Sequence, residues 1–187
     1  MNEHLMEPEI DLAPEFKCYT DTLNIRRTYY FNDGIGEPSQ YNNLLHDLDV
    51  ATERDIFVFH FNSPGGRLDA TIQLYNAIKE TKGQTIGSLS GNCASAATVL
   101  FLACSGWEVC RNCRFMIHAG SWGFGGKYNE MISHADFEKE WQERFFKEVY
   151  SGFLTKREIS NVLRGGDMYM FADDVVSRLN NYSKKRK

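Results

Sequence analysis

The sequence predicts an α/β domain built around a mostly parallel sheet, and three observations predict it. Ile56 to Phe61 is apolar on both alternating sets, with Phe57, Phe59 and Phe61 on one and Ile56 and Val58 on the other. That is the pattern of a strand covered on both faces. Strand-like and helix-like segments alternate from residue 56 onward, the order of βαβ units. Turn signals follow the strand ends, among them Asn62-Ser63-Pro64-Gly65-Gly66.

Taken in order, residues 1–20 are polar and lack sustained periodicity, which reads as a flexible arm. Residues 21–180 are then expected to form one domain and 181–187 a basic tail. Arg27 to Asn32 reads as a strand, and Ser39 to Leu48 as a helix with Leu44, Leu45 and Leu48 on one side. The Pro64-Gly65-Gly66 turn opens a helix over 68–80, where Leu68, Ile72, Tyr75 and Ile78 fall at helical spacing and Gly83 stops the run. Thr85 to Leu89 is the next strand and Gly91 to Ala94 a small-residue turn. An apolar helix over 94–104 follows, then a short strand from Arg114 to Ile117 that ends at His118. Beyond the glycine-rich 120–126 segment, 129–150 reads as a long amphipathic helix with Phe137, Trp141, Phe145 and Val149 on its apolar stripe. Thr155-Lys156-Arg157-Glu158 is a capping-box sequence that starts another helix.

The composition narrows the function. At 187 residues the chain is long enough to bury a hydrophobic core. A net charge of −4 gives no case for nucleic-acid binding. The one basic run, Lys184 to Lys187, reads as a solvated tail. The acidic N-terminus lacks a secretory layout, and the longest apolar stretch, 94–104, is too short to span a bilayer. A soluble, cytoplasmic protein is expected, with neither membrane nor nucleic acid among its partners. Five cysteines fit reduced thiols. Cys110 and Cys113 have C-x-x-C spacing, but a zinc site needs two further ligands and no second such pair exists, so no metal or other cofactor is expected.

Three strand ends carry the candidate chemistry, and in a parallel sheet such ends gather at one edge. After the first, Gly65 and Gly66 let backbone N–H groups approach a ligand, although an ordinary tight turn has the same composition. After the second, Ser95 sits among small residues at a strand-to-helix turn, where the helix N-terminus favours a developing oxyanion. A helix-capping serine is the structural alternative. After the third, His118 leaves an apolar strand into glycine-rich sequence. His4, His46 and His134 lie in polar surroundings, and His60 is expected to pack inside its strand.

FNSPGG at 61–66, GNCASAATVLFLAC at 91–104 and FMIHAG at 115–120, in this order, resemble the Clp protease proteolytic-subunit family. The resemblance runs from about residue 27 to the YMFADDVV segment at 169–176. It implies a ClpP/crotonase-like fold of stacked ββα units with a protruding handle helix, here 129–150 and the segment before it. It further implies a serine peptidase with Ser95 as nucleophile, His118 as general base, and the Gly66 and Ala96 amides as oxyanion hole. Peptide would add as a strand between the backbone after Gly66 and the segment after His118, which brings Gly65, Arg67, Leu68 and Gly120 to the substrate. Stacked rings, seven-membered in the family, would enclose the sites. No phosphate-binding loop is present, so ATP dependence would come from a separate AAA+ unfoldase.

Some positions depart from the family pattern. The family carries an aspartate shortly before the motif resembling YMFADDVV, and the alignment leaves Leu163 at that place. Asp167 and Asn161 are the polar residues nearby, and the Arg164-Gly165-Gly166 loop is able to reposition Asp167. Asn180-Asn181-Tyr182 also stands where the family has a different ending. A non-catalytic ring subunit or regulatory partner is therefore the competing expectation. An acyl-CoA enzyme of the crotonase type shares the fold but has no need of this serine and histidine.

Overall fold

The computed structural model describes residues 25–121, 123 and 125–185. The expected arm over 1–20 and the last two basic residues lie outside the described residues. Six strands form one sheet: β1 (Arg26–Phe31), β2 (Ile56–Ser63), β3 (Gln84–Ala94), β4 (Gly106–Val109), β5 (Arg114–Ile117) and β6 (Met168–Phe171). The order is β1-β2-β3-β5-β6, with β4 beside the first half of β3. Every pairing is parallel except β5 with β6. Helices α1 (Asn42–Asp49), α2 (Leu68–Glu80), α3 (Ala96–Ala103), α4 (Tyr128–Tyr150), α5 (Lys156–Leu163) and α6 (Ala172–Lys185) complete the α/β fold.

The core follows from the strand pattern. Phe57, Phe59 and Phe61 of β2 are fully buried, as the doubly apolar run predicts. Phe61 stacks on Phe31 at 5.2 Å and meets Phe101 of α3 edge-on at 5.8 Å. Phe101 in turn packs on Phe115 of β5 at 5.7 Å. This chain of rings ties β1, β2, α3 and β5 together, each contact adding about 0.5–1.5 kcal/mol beyond burial. Helix α3 is buried at all eight positions, Ala96 to Ala103, so it is a core helix without a polar face.

Five expectations change. The 91–94 segment is strand rather than turn, because Asn92, Cys93 and Ala94 pair with Arg114, Phe115 and Met116. Residues 106–109 and 168–171 are strands and 172–185 a helix that periodicity did not reveal. The supposed tail starts inside α6: Tyr182 is buried, packs on Trp107 and Phe153, and donates to the Val149 carbonyl at 3.0 Å. His60 does not pack in the core but stacks on exposed Tyr30 at 4.9 Å. On α4 the buried residues are Phe146, Val149 and Tyr150, all in the last turns, while Phe137 is 64% exposed. The first half of that helix instead shows Tyr128, Met131 and Ile132 to the surroundings.

Candidate active site

Strands β2, β3 and β5 are sheet neighbours and run parallel, so their carboxyl ends meet at one edge. At the end of β2 the register shifts between Phe61 and Ser63. The buried Ser63 hydroxyl donates to Asp33 O at 2.6 Å and accepts from Gly65 N at 3.2 Å, which fixes the turn. Gly65 has φ +97°, and a Cβ there would lie 2.7 Å from both Ala94 O and Ser95 Cβ. Only glycine lets this turn approach the next strand end so closely. Hydrogen bonds from Ile35 N to Gly65 O (2.8 Å) and from Arg67 N to Ile35 O (2.9 Å) clamp the turn from its other side.

Ser95 stands between β3 and α3 with φ 54° and ψ −128°, the one non-glycine residue at positive φ among the described residues. Such a conformation costs about 1–3 kcal/mol and persists only where its surroundings impose it. Here the Ser95 amide donates to Met116 O of β5 at 2.8 Å, and its carbonyl accepts from Thr98 N (3.0 Å) and Thr98 Oγ1 (2.6 Å). The Thr98 hydroxyl also pairs with Tyr150 Oη at 2.6 Å. Burial pushes the Tyr150 phenol well up, so it stays a neutral hydroxyl. The Ser95 side chain makes no capping bond to α3. Its Oγ lies 2.7 Å from His118 Nε2, just past the end of β5. With the proton on Nδ1, Nε2 accepts the serine hydroxyl, the arrangement that activates a weak oxygen nucleophile.

A cavity of about 620 Å³ opens on this pair, lined by Ser95, Ala96, His118 and the expected Gly66, Arg67, Leu68 and Gly120. Gly65 is not part of the lining; its close approach to the chain at Ala94, Ser95 and Ala96 sets the position of the turn that carries Gly66. Among the described residues neither the Gly66 nor the Ala96 amide is engaged by an acceptor, which leaves both N–H groups for a ligand. Arg67 is already held, by Glu37 at 2.8 Å and Asp69 at 2.6 Å. Apolar wall comes from Val99, Met116 and the α4 side chains Trp141, Phe145, Phe146 and Tyr150, with Glu138 and Gln142 of the same helix as polar members. Cys93 is fully buried, and burial pushes its thiol well up, so it is no rival nucleophile.

The third member is placed differently. Leu163 ends α5 and packs against the hydrophobic core, far from an imidazole-orienting role. Exposed Asn161 has its carbonyl tied to the Arg164 and Gly166 amides. Strands β5 and β6 pair Arg114 with Phe171 and Ile117 with Met168, so His118 and Asp167 are the next residues past the end of that ladder. The Asp167 side chain nevertheless accepts from Tyr169 Oη at 3.4 Å, and no hydrogen bond joins it to His118. Asp167 thus follows directly after the last β5–β6 pair, and its carboxylate is turned to Tyr169.

Sequence reasoning missed Thr98 and Tyr150, which support the Ser95 backbone from below, and Glu138 and Gln142, which line the far wall. The signal for the second pair was available. Positions 138, 141, 142 and 145 share one helical face.

Among the described residues no helix is long and apolar enough to cross a membrane, and no group of three or more His, Cys, Asp or Glu is placed to hold a metal ion. Comparison with known proteins returns the same assignment that the motifs suggest. The Clp protease family model matches residues 32–176. The ATP-dependent Clp protease proteolytic subunit 3, chloroplastic, of Arabidopsis thaliana is 38% identical over 106 residues, covering 50% of this chain and 33% of that relative. The chain thus spans about a third of the length of that relative. With the family model covering well over half the sequence and the three motifs meeting at one cavity, the chain belongs to the Clp protease family.

Proposed function

We propose that this chain is a serine-type endopeptidase acting on unfolded proteins or peptides. The observation that carries the reading is the 2.7 Å contact between His118 Nε2 and Ser95 Oγ, made by a serine held at φ 54°. His118 takes the hydroxyl proton as Oγ attacks the peptide carbonyl, and returns it to the leaving amine. The acyl-enzyme on Ser95 is then hydrolysed by water. The Gly66 and Ala96 amides receive the oxyanion, each donor contributing about a hundred- to a thousand-fold in rate. The extended substrate lies along the backbone after Gly66 and the segment at Gly120, where even an added Cβ would meet nothing within 4 Å. Asp167 completes the triad in this reading. The β5–β6 register supports it, and the long, exposed bond to Tyr169 is weak enough to exchange for one to His118 Nδ1.

Members of this family form oligomeric rings. The half of α4 that exposes Tyr128, Met131, Ile132 and Phe137 supports a handle role, closing a chamber of stacked, seven-membered rings in the cytoplasm. An AAA+ unfoldase is the partner this arrangement would require for folded substrates. A second reading, a non-catalytic ring subunit, is favoured by one observation, the Asp167 carboxylate turned to Tyr169.

Hydrolysis of a quenched fluorescent peptide by the assembled protein separates the two. Turnover that disappears in Ser95→Ala is the expected result. Assembly into rings with no turnover above that of Ser95→Ala would favour the non-catalytic subunit.

A further inference from the structure

The far wall of the cavity has a chemistry of its own. Glu138, Trp141 and Phe145 lie at i, i+3 and i+7 on one face of α4, and all three line the space above Ser95 and His118. Trp141 and Phe145 stack at 4.9 Å with an interplanar angle of 20°. Phe145 is braced edge-on by Tyr75 at 5.4 Å, so the pair of rings is held in place. Two formally charged side chains line the cavity, Arg67 and Glu138. Arg67 is already neutralised by Glu37 and Asp69, two carboxylates just off the lining for one cation. Glu138 is only 26% exposed, and its ion-pair contact among the described residues is His134, at 3.8 Å. With Arg67 engaged in this way, Glu138 is the lining charge left to meet a ligand of opposite sign.

A half-buried carboxylate next to stacked aromatic faces is the environment that receives a cation. The rings attract it through their quadrupoles and cover its methylene stem, while the carboxylate meets its charge. The purely apolar walls near Val99, Phe146 and Tyr150 have no such feature. We propose that Glu138, Trp141 and Phe145 form a subsite for a lysine or arginine side chain of the peptide substrate. The class of substrate is thus a peptide carrying one basic residue near the bond to be cut. This inference builds on the peptidase reading, but binding at the subsite does not need the chemical step.

The test uses the assembled Ser95→Ala protein and fluorescein-labelled hexapeptides that differ only in carrying lysine or norleucine, with the residue moved through each position. Fluorescence anisotropy is expected to show at least about fivefold tighter binding of the lysine peptide at one position. Glu138→Gln in the same background should remove that preference, and Glu138→Lys should reverse it in favour of a glutamate peptide. Equal binding of the lysine and norleucine peptides at every position would overturn the subsite, as would a lysine preference unchanged by Glu138→Gln. Acylation of wild type by a fluorophosphonate is measured in parallel. Its absence would defeat the peptidase reading and leave the anisotropy result to decide the subsite alone.

Discussion

The two halves of the candidate triad are built by different parts of one sheet. Ser95 and His118 extend neighbouring parallel strands in the middle of the sheet, tied by the Ser95 amide to Met116 O at 2.8 Å, and they meet at bonding distance. Asp167 directly precedes β6, an edge strand and among the described strands the one that pairs antiparallel to its neighbour, and it faces Tyr169 instead. Strand β3 is clamped on both sides, by β2 and by β4 and β5, and its end continues into a helix buried at every position. Strand β6 has one partner, with Tyr169 and Phe171 75% and 79% exposed. The lesson is that packing on all sides fixes a side chain to bonding precision, whereas a position held by register on one side keeps rotamer freedom. In the proposed peptidase the serine and histidine are thus already at bonding distance, and Asp167 is the member whose side chain still has to turn.

Substitutions sharpen this contrast in descending order of effect. His118→Ala removes the base and should lower peptide turnover at least about a thousandfold, measured as kcat/KM, with the fold kept intact. Gly65→Ala attacks the preorganised half from beneath. It forces a Cβ at φ +97° to within 2.7 Å of Ser95, and turnover should fall at least about a hundredfold with a lowered Tm. Asp167→Asn probes the other half. If the carboxylate reaches His118 in the working enzyme, kcat falls about a thousand- to ten-thousandfold once substrate is bound. An effect below about threefold would leave the site a dyad. Tyr150→Phe removes the hydroxyl beneath Thr98. It should slow acylation about threefold to tenfold, with KM little changed, because it loosens the strained Ser95 backbone while the ring that lines the cavity is kept.

The smallest effect lies outside the site. The Arg178 guanidinium bonded to Glu158 holds its carboxyl down at about 2, so the pair contributes stability in full above the ordinary carboxyl range and loses it as pH falls towards 2. Glu158→Gln should lower Tm by a few degrees at neutral pH, and the difference from wild type should shrink as pH falls from about 4.5 to 2, followed by circular dichroism.

Much of this arrangement is legible in the residues. The alternation in Ile56 to Phe61 announces a strand buried on both faces, and the capping box at Thr155 and Glu158 appears as written, with bonds of 2.7 and 3.2 Å. Glycine pairs and small residues at strand ends point to Ser95 and His118 because close backbone approach leaves a compositional trace. The 106–109 and 168–171 strands leave none. At four residues each they are too short for a period to register, and they exist because β3 and β5 offer unpaired edges. The choice between Asp167 and Asn161 stays open in the sequence for the same reason, since the β6 strand that Asp167 precedes leaves no period to read. The apolar stripe of α4 is legible, but periodicity does not say how far the helix runs beyond the core, so it does not separate exposed Phe137 from buried Val149.

The central claim is that Ser95 is an activated nucleophile. Incubation of the assembled protein with a fluorophosphonate, followed by intact mass and peptide mapping, tests it most directly. The account predicts one phosphonyl group per chain, on Ser95, with fluoride released, and no adduct in Ser95→Ala. An assembled, folded protein that gains no mass, or gains it at another residue, would contradict it.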